Sequence, residues 1–199
     1  MNGVAADSRS AKGALREEFR RRLRDLPAGE RDASSERIRR HCMTLPEWGR
    51  ARTLALYHPR PDEPDLWPLA GIAWAEGRKV VLPCHDPIRS AYRWRRVDGP
   101  ADLVAGRFGI LEPSAGCEEV ATPLLDLAFV PGLGFSYDGV RLGRGRGFYD
   151  RLLESFRGRS FGVAFDCQLL PRIPREDHDF GLDGVITPGG CRFAPEGAE

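Results

Sequence analysis

Between Arg141 and Asp150 the sequence reads RLGRGRGFYD: Gly143, Gly145 and Gly147 alternate with Arg144 and Arg146, behind a third arginine, Arg141. Glycines permit positive φ and let a ligand approach the backbone closely. Successive backbone N–H groups can then converge on an anion. A helix that starts at Phe148 would aim the positive end of its dipole at the same place. Guanidinium groups add full charges matched to phosphate oxygens. Asp150 falls in the first turn of that helix, and a carboxylate beside a polyphosphate suits Mg²⁺, which takes one or two carboxylates plus phosphate oxygens. The spacing fits neither GK[ST] nor GxGxxG, so the known phosphate loops do not cover it. Other readings stay open on these residues alone. The loop can be a plain turn, and Asp150 a helix-dipole partner worth under about 1 kcal/mol. GRGRGF also resembles an RNA-binding RGG segment, although such segments are normally disordered and this one has strongly apolar flanks.

The flanks define the elements that must position this loop. Leu127-Ala128-Phe129-Val130 reads as a strand covered on both faces. Phe148 to Phe156 reads as a helix packing through Leu152, Leu153 and Phe156, and Ser160 to Phe165 as the next strand. Upstream, Leu15, Phe19, Leu23 and Leu26 form one face of a helix from about Ser10, and a second helix spans Ala28 to Leu45. Thr53 to Tyr57, a helix over Leu66 to Glu76, and Lys79 to Pro83 form a βαβ unit, hence parallel pairing. Tyr92 to Val97 alternates as an antiparallel strand; residues 98–125 read mostly as loop, and Asp183 to Thr187 is a last strand. This order predicts an α/β three-layer sandwich with a mainly parallel central sheet flanked by helices. It is Rossmann-like, a single domain over residues 10–187, with a disordered N-terminus (1–9) and a loose C-terminal tail (188–199).

The totals exclude several classes. The chain has 199 residues, 41% hydrophobic and 30% charged, with a formal net charge of +1. That composition fits a globular domain with its own core, and the charge points to neither nucleic acid nor a membrane surface. Five cysteines and four histidines lack CxxC or HExxH spacing, which argues against a zinc site or a redox dithiol. No stretch approaches a membrane span, and residues 1–10 lack a signal-peptide core. The expectation is a cytoplasmic monomer. Cys167 beside Gln168 has no histidine partner in view, so covalent catalysis is rejected.

With its flanks, the glycine-arginine segment resembles the 5-formyltetrahydrofolate cyclo-ligases (methenyltetrahydrofolate synthetases). That family's signature is close to PGxxFDxxGxRLGxGxGYYD. Here it stands as Pro131-Gly132-Leu133-Gly134-Phe135, Asp138-Gly139 and Arg141 to Asp150. Weaker matches follow in family order: Lys12, Leu15 and Arg16; Tyr57, Pro59, Glu63 and Asp65; Phe108-Gly109-Ile110 with Glu112-Pro113; Ala164-Phe165 with Gln168; His178-Asp179 and Asp183. The chain departs from the pattern at Phe148, which stands where the family has its first tyrosine, and at Ser136-Tyr137-Asp138.

The resemblance implies ATP-dependent cyclisation of 5-formyltetrahydrofolate to 5,10-methenyltetrahydrofolate. It implies ATP contacts at Lys12, Arg16, Arg141, Leu142, Gly143, Arg144, Gly145, Arg146, Gly147, Phe148 and Tyr149. Folate contacts would come from Glu63, from His58 beside it, and from Arg144, Gly145, Arg146, Gly147 and Phe148. Mg²⁺ would be held by Asp150 and Asp179, and Arg144 and Arg146 would neutralise the transferring phosphoryl group. Lys12 and Arg16, four residues apart, share one helix face; they reach the loop only if the first helix folds back on it. The alternative is a Mg-ATP-dependent phosphotransferase acting on another small acceptor.

Overall fold

Leu127 to Pro131 is buried at all five positions. Such a strand needs cover on both faces, and the computed structural model, which describes residues 2–106 and 109–195, supplies it. The chain runs α1 (Asn2–Asp25), α2 (Ala28–Thr44), α3 (Pro46–Arg50), β1 (Thr53–Ala55), α4 (Pro68–Ala75), β2 (Lys79–Asp86) and β3 (Ala91–Val97). It continues through β4 (Leu103–Ala105), β5 (Leu111–Pro113), β6 (Glu119–Val120), β7 (Leu127–Pro131), β8 (Gly134–Ser136), β9 (Arg141–Leu142) and α5 (Phe148–Leu152). The last strands are β10 (Arg159–Val163), β11 (Leu169–Leu170), β12 (Gly184–Thr187) and β13 (Gly190–Phe193).

The main sheet has eight strands in the order β13-β12-β10-β7-β1-β2-β3-β6. Its five inner strands, β12 through β2, pair in parallel, and β13, β3 and β6 are antiparallel at the edges. Side chains alternate across the sheet as a period of two requires. Leu54 and Leu56 face a core built with Phe19, Leu23, Ile38 and Leu69. Ala55, between them, faces the opposite core with Val130, Leu153 and Phe156. Helices α1, α2 and α4 thus contribute to one layer, and α5 with the turn after it contributes to the other.

β1 and β7 are parallel neighbours, with Leu54 opposite Leu127. From β1 the chain crosses to β2 on one side; from β7 it crosses to β10 on the other. Their carboxyl ends therefore part and leave a crevice, the place where open α/β sheets bind ligands. The loop after β1 and the loop after β7 both empty into it.

Several boundaries differ from the sequence reading. The first helix extends from Asn2, upstream of Ser10. The predicted Phe148–Phe156 helix ends at Leu152; a tight turn follows, in which the Phe156 N–H donates to the Leu153 carbonyl at 2.8 Å, yet Leu153 and Phe156 still pack inward. Residues 98–125 hold a two-stranded pair, β4 with β5, and the edge strand β6. Gly190 to Phe193, assigned to the loose tail, forms β13 against β12. Arg107, Phe108 and residues 196–199 lie outside the described residues. Among those described, no helix is long and apolar enough to cross a membrane.

Gly134 on β8 shows how tightly α1 is seated. A Cβ there would meet the Phe19 ring at 2.1 Å. Phe19 is fully buried and cannot swing clear. Gly134→Ala is expected to cost roughly 1–3 kcal/mol of stability by overpacking, read as a lower denaturant midpoint with unchanged slope. Because it pushes on α1, it should also loosen whatever α1 carries to the loop.

Candidate active site

The crevice holds a cavity of about 240 Å³. That is many times the roughly 30 Å³ share of one water molecule and somewhat under the roughly 300–1,000 Å³ of typical ligand pockets, room for a ring system rather than for a whole nucleotide. Tyr57, His58, Arg60 and Glu63 line it from the loop after β1; Pro131, Gly132, Arg141, Gly143, Arg144, Arg146 and Gly147 line it from β7 through the glycine-arginine loop. Phe148 and Tyr149 open α5 and close that side, while Tyr92 comes from β3, Leu111 and Glu112 from β5, and Ile110 from the residue before it.

The loop is built as its composition demands, but its glycines act differently. Gly145 and Gly147 have φ of +103° and +58°, which L side chains rarely adopt. Gly147 is the residue immediately before α5. Gly143 is needed for space instead, because a Cβ there would sit 2.8 Å from the Arg141 guanidinium. Gln168, fully buried, pins the start of the segment: its amide nitrogen donates to the carbonyls of Gly132 (2.8 Å) and Leu133 (3.2 Å). At the other end Arg151 donates to the Arg146 carbonyl at 3.1 Å. Helix α1 does fold back on the loop, and the Arg16 Nε donates to the Gly143 carbonyl at 3.0 Å.

Two arginines of the segment are paired with carboxylates. Arg141, with a side chain 4% exposed, donates to Asp150 Oδ1 at 2.7 Å and lies 5.4 Å from the Tyr149 ring centre. Arg144 Nη2 bridges two carboxylates of the β1 loop, Asp62 Oδ1 at 2.8 Å and Glu63 Oε1 at 3.1 Å. Glu63 Oε2 accepts the Arg60 backbone N–H at 3.1 Å. Burial pushes the Glu63 carboxyl above its ordinary value, and the Arg144 guanidinium draws it part of the way back. Burial likewise holds the Tyr149 phenol well above its ordinary range, so it remains a neutral hydroxyl. His58 is shifted down by burial, which favours neutral imidazole; its Nδ1 is buried with no hydrogen-bond partner among the described residues.

Of the residues singled out by sequence, His58, Glu63, Arg141, Gly143, Arg144, Arg146, Gly147, Phe148 and Tyr149 gather around the cavity. Leu142 does not: its side chain is 1% exposed within the core. Gly145 sits beside the Arg16 guanidinium, 3.6 Å from where its Cβ would lie. Lys12 is 5% exposed and donates to Glu176 Oε2 and Asp179 Oδ2, both at 2.6 Å. Asp150 and Asp179 are thus each held by a cation of the chain itself. Carboxylate oxygens are the donors Mg²⁺ prefers, and Asp179 stands with Glu176 and His178 in a group whose ligand atoms lie within 4.8 Å of one another.

Sequence reasoning gave no role to Tyr92 or Leu111, or to Ile110 and Glu112 beyond their place in a motif. Tyr92 packs against Phe148, ring centres 4.5 Å apart, so position 148 keeps an aromatic wall without its hydroxyl. The alternation of β3 was visible; that this strand borders the β1–β7 crevice was not. Glu112, 7% exposed, accepts the His85 backbone N–H at 3.0 Å and ties this wall to β2.

Comparison with known proteins agrees with this architecture. Residues 8–188 match the model of the 5-formyltetrahydrofolate cyclo-ligase family. Over 176 residues the chain is 33% identical to the Escherichia coli K12 5-formyltetrahydrofolate cyclo-ligase, covering 85% of this chain and 96% of that one. With the Haemophilus influenzae cyclo-ligase the identity is 31% over 179 residues, 87% and 95% of the two chains. The solved Aquifex aeolicus 5,10-methenyltetrahydrofolate synthetase superposes with a TM-score of 0.83 at 35% identity, covering 94% and 95%. The chain belongs to the 5-formyltetrahydrofolate cyclo-ligase family.

Proposed function

We propose that the β1–β7 crevice converts 5-formyltetrahydrofolate to 5,10-methenyltetrahydrofolate at the expense of ATP. The observation that carries this reading is the joining, at one cavity, of a cationic glycine loop and a buried carboxylate: Arg144 against Glu63. A loop for phosphate alone has no use for Glu63. A carboxylate with a side chain 7% exposed suits the clustered N–H donors of a pterin ring. This sets aside the phosphotransferase with another acceptor, which nothing in the cavity or among the matched relatives favours.

The N5-formyl oxygen is a poor leaving group until phosphorylated. It attacks the γ-phosphorus of ATP, ADP departs, and the formyl carbon becomes an electrophilic iminium phosphate. N10 adds to that carbon and loses its proton; phosphate then leaves with the C–O bond pair, completing the methenyl bridge. No protein nucleophile is required, so this chain contributes position and charge. Glu63 and His58 seat the pterin. The Tyr92–Phe148 pair walls the cavity and keeps water from the phosphorylated intermediate. Arg144 and Arg146 neutralise the transferring group, while Lys12, Arg16, Arg141 and the backbone from Leu142 to Tyr149 cradle the rest of the nucleotide. Asp150 and Asp179 would hold Mg²⁺, which when bound shields the phosphate charge.

Calorimetric titration with 5-formyltetrahydrofolate, with and without MgATP, checks the assignment. Saturable binding of the folate is expected. Folded protein that takes up nucleotide but no folate under either condition would refute it.

A further inference from the structure

Asp62 is flanked by two arginines but bonded to only one. Its Oδ1 accepts from Arg144 Nη2 at 2.8 Å, while Arg60 Nε stands 3.6 Å from the same oxygen. That Arg60 nitrogen is buried and has no hydrogen-bond partner among the described residues. An orphaned guanidinium N–H at the wall of a ligand cavity calls for an explanation, since most buried polar groups are paired; Arg141 Nε and His58 Nδ1, at the same cavity, also lack a hydrogen-bond partner among the described residues, but the Arg60 nitrogen stands beside a carboxylate it does not bond. Arg144 lies within hydrogen-bond reach of both Asp62 and Glu63, and Arg60 stands beside Asp62.

Arg144 cannot both bridge two carboxylates and give its full charge to a phosphate. Its withdrawal would take from Asp62 and Glu63, adjacent in sequence, the guanidinium that bridges them, while Arg60 stays beside Asp62. We propose that Arg60 is a positioning residue that takes over Asp62 when Arg144 turns to the nucleotide. A shift of under an ångström would bring Nε from 3.6 Å into the usual 2.7–3.2 Å range. The backbone N–H of Arg60 already supports Glu63 Oε2, so the loop need not move. Arg60 thereby lowers the cost of releasing Arg144, and Asp62 serves as the rest position from which Arg144 is drawn. The inference rests on the reading of this crevice as the nucleotide and folate site.

The test is a double-mutant cycle on the intact chain, read by calorimetry with a non-hydrolysable ATP analogue and by steady-state kinetics. Arg60→Gln is expected to weaken the analogue and raise KM for ATP about fivefold, the scale of one partly exposed ion pair. KM for the folate should change little, because the Arg60 backbone bond to Glu63 survives. Asp62→Asn should tighten the analogue by a similar factor, and the double variant should behave as Asp62→Asn does, since Arg60 then has nothing to take over. Arg60→Lys should restore most of the loss by charge alone. Additive effects, or an Arg60→Gln defect spread equally over folate KM and thermal midpoint, would overturn the proposal alone. Unchanged analogue affinity in Arg144→Gln would overturn the reading of the loop and the proposal with it.

Discussion

Glu63→Gln is expected to lower kcat/KM for 5-formyltetrahydrofolate by about 100-fold, while the affinity for nucleotide changes far less. The carboxylate is the one charged acceptor facing the cavity from the β1 loop, with its side chain 7% exposed. Glutamine keeps its size but replaces one acceptor oxygen with a donor, so a donor of the pterin meets another donor inside a nearly dry site. A buried group left unpaired costs about 1–3 kcal/mol, more when charge is involved, and each 1.36 kcal/mol is a factor of ten in rate. The pH dependence has a definite sign. Burial raises the Glu63 carboxyl above its ordinary value, and the ionised form is the one that accepts two donors. Activity should therefore fall with decreasing pH, along an acid limb at higher pH than a surface glutamate would give. Steady-state kinetics across pH should show that limb in the wild type and not in Glu63→Gln.

Arg144→Gln is expected to reduce kcat by two to three orders of magnitude with a smaller change in folate KM. The guanidinium lines the cavity and rests on Asp62 and Glu63, so its side chain alone, not the loop, has to turn to meet the developing phosphoryl charge. Removing one donor to a developing transition-state charge typically costs about 10²–10³ in kcat. A second effect follows from the same contact. Arg144 draws the Glu63 carboxyl down against the burial that raises it. Without that cation, the Arg60 backbone hydrogen bond is left to offset desolvation, and the acid limb of the residual activity should move to still higher pH. Lysine at 144 should recover part of the charge effect but not the two-carboxylate bridge. A kcat for Arg144→Gln within a factor of a few of wild type would remove this residue from the chemistry.

How far the sequence could be read depended on the range of the interaction. The stripe Leu15, Phe19, Leu23 is periodic within one helix, and it is this face that docks α1, with Phe19 and Leu23 buried. The unbroken apolar run of β7 announced its burial in the same local way. The glycine-arginine segment was legible because its residue types carry the chemistry directly. Strand order was not, since nothing local to Thr53–Ala55 or Leu127–Pro131 says that these strands are neighbours; their adjacency creates the crevice. Lys12 shows the same limit. Its partners Glu176 and Asp179 lie 164 and 167 residues away, and only the fold joins them. β13 was missed because Gly190-Cys191-Arg192-Phe193 has little intrinsic strand character and takes its conformation from pairing with β12. Gly143 looks in the sequence like its neighbours Gly145 and Gly147, but it provides clearance beside Arg141 rather than a positive φ.

The most direct test of the central claim is to mix the protein with 5-formyltetrahydrofolate, ATP and magnesium, and to follow the methenyl product by absorbance alongside released phosphate. The methenyl band is expected to grow with one phosphate freed per product, both abolished when ATP is omitted and both sharply reduced in Glu63→Gln. A folded, nucleotide-binding protein that turns over ATP without forming methenyl product, or forms it equally well without Glu63, would contradict the claim.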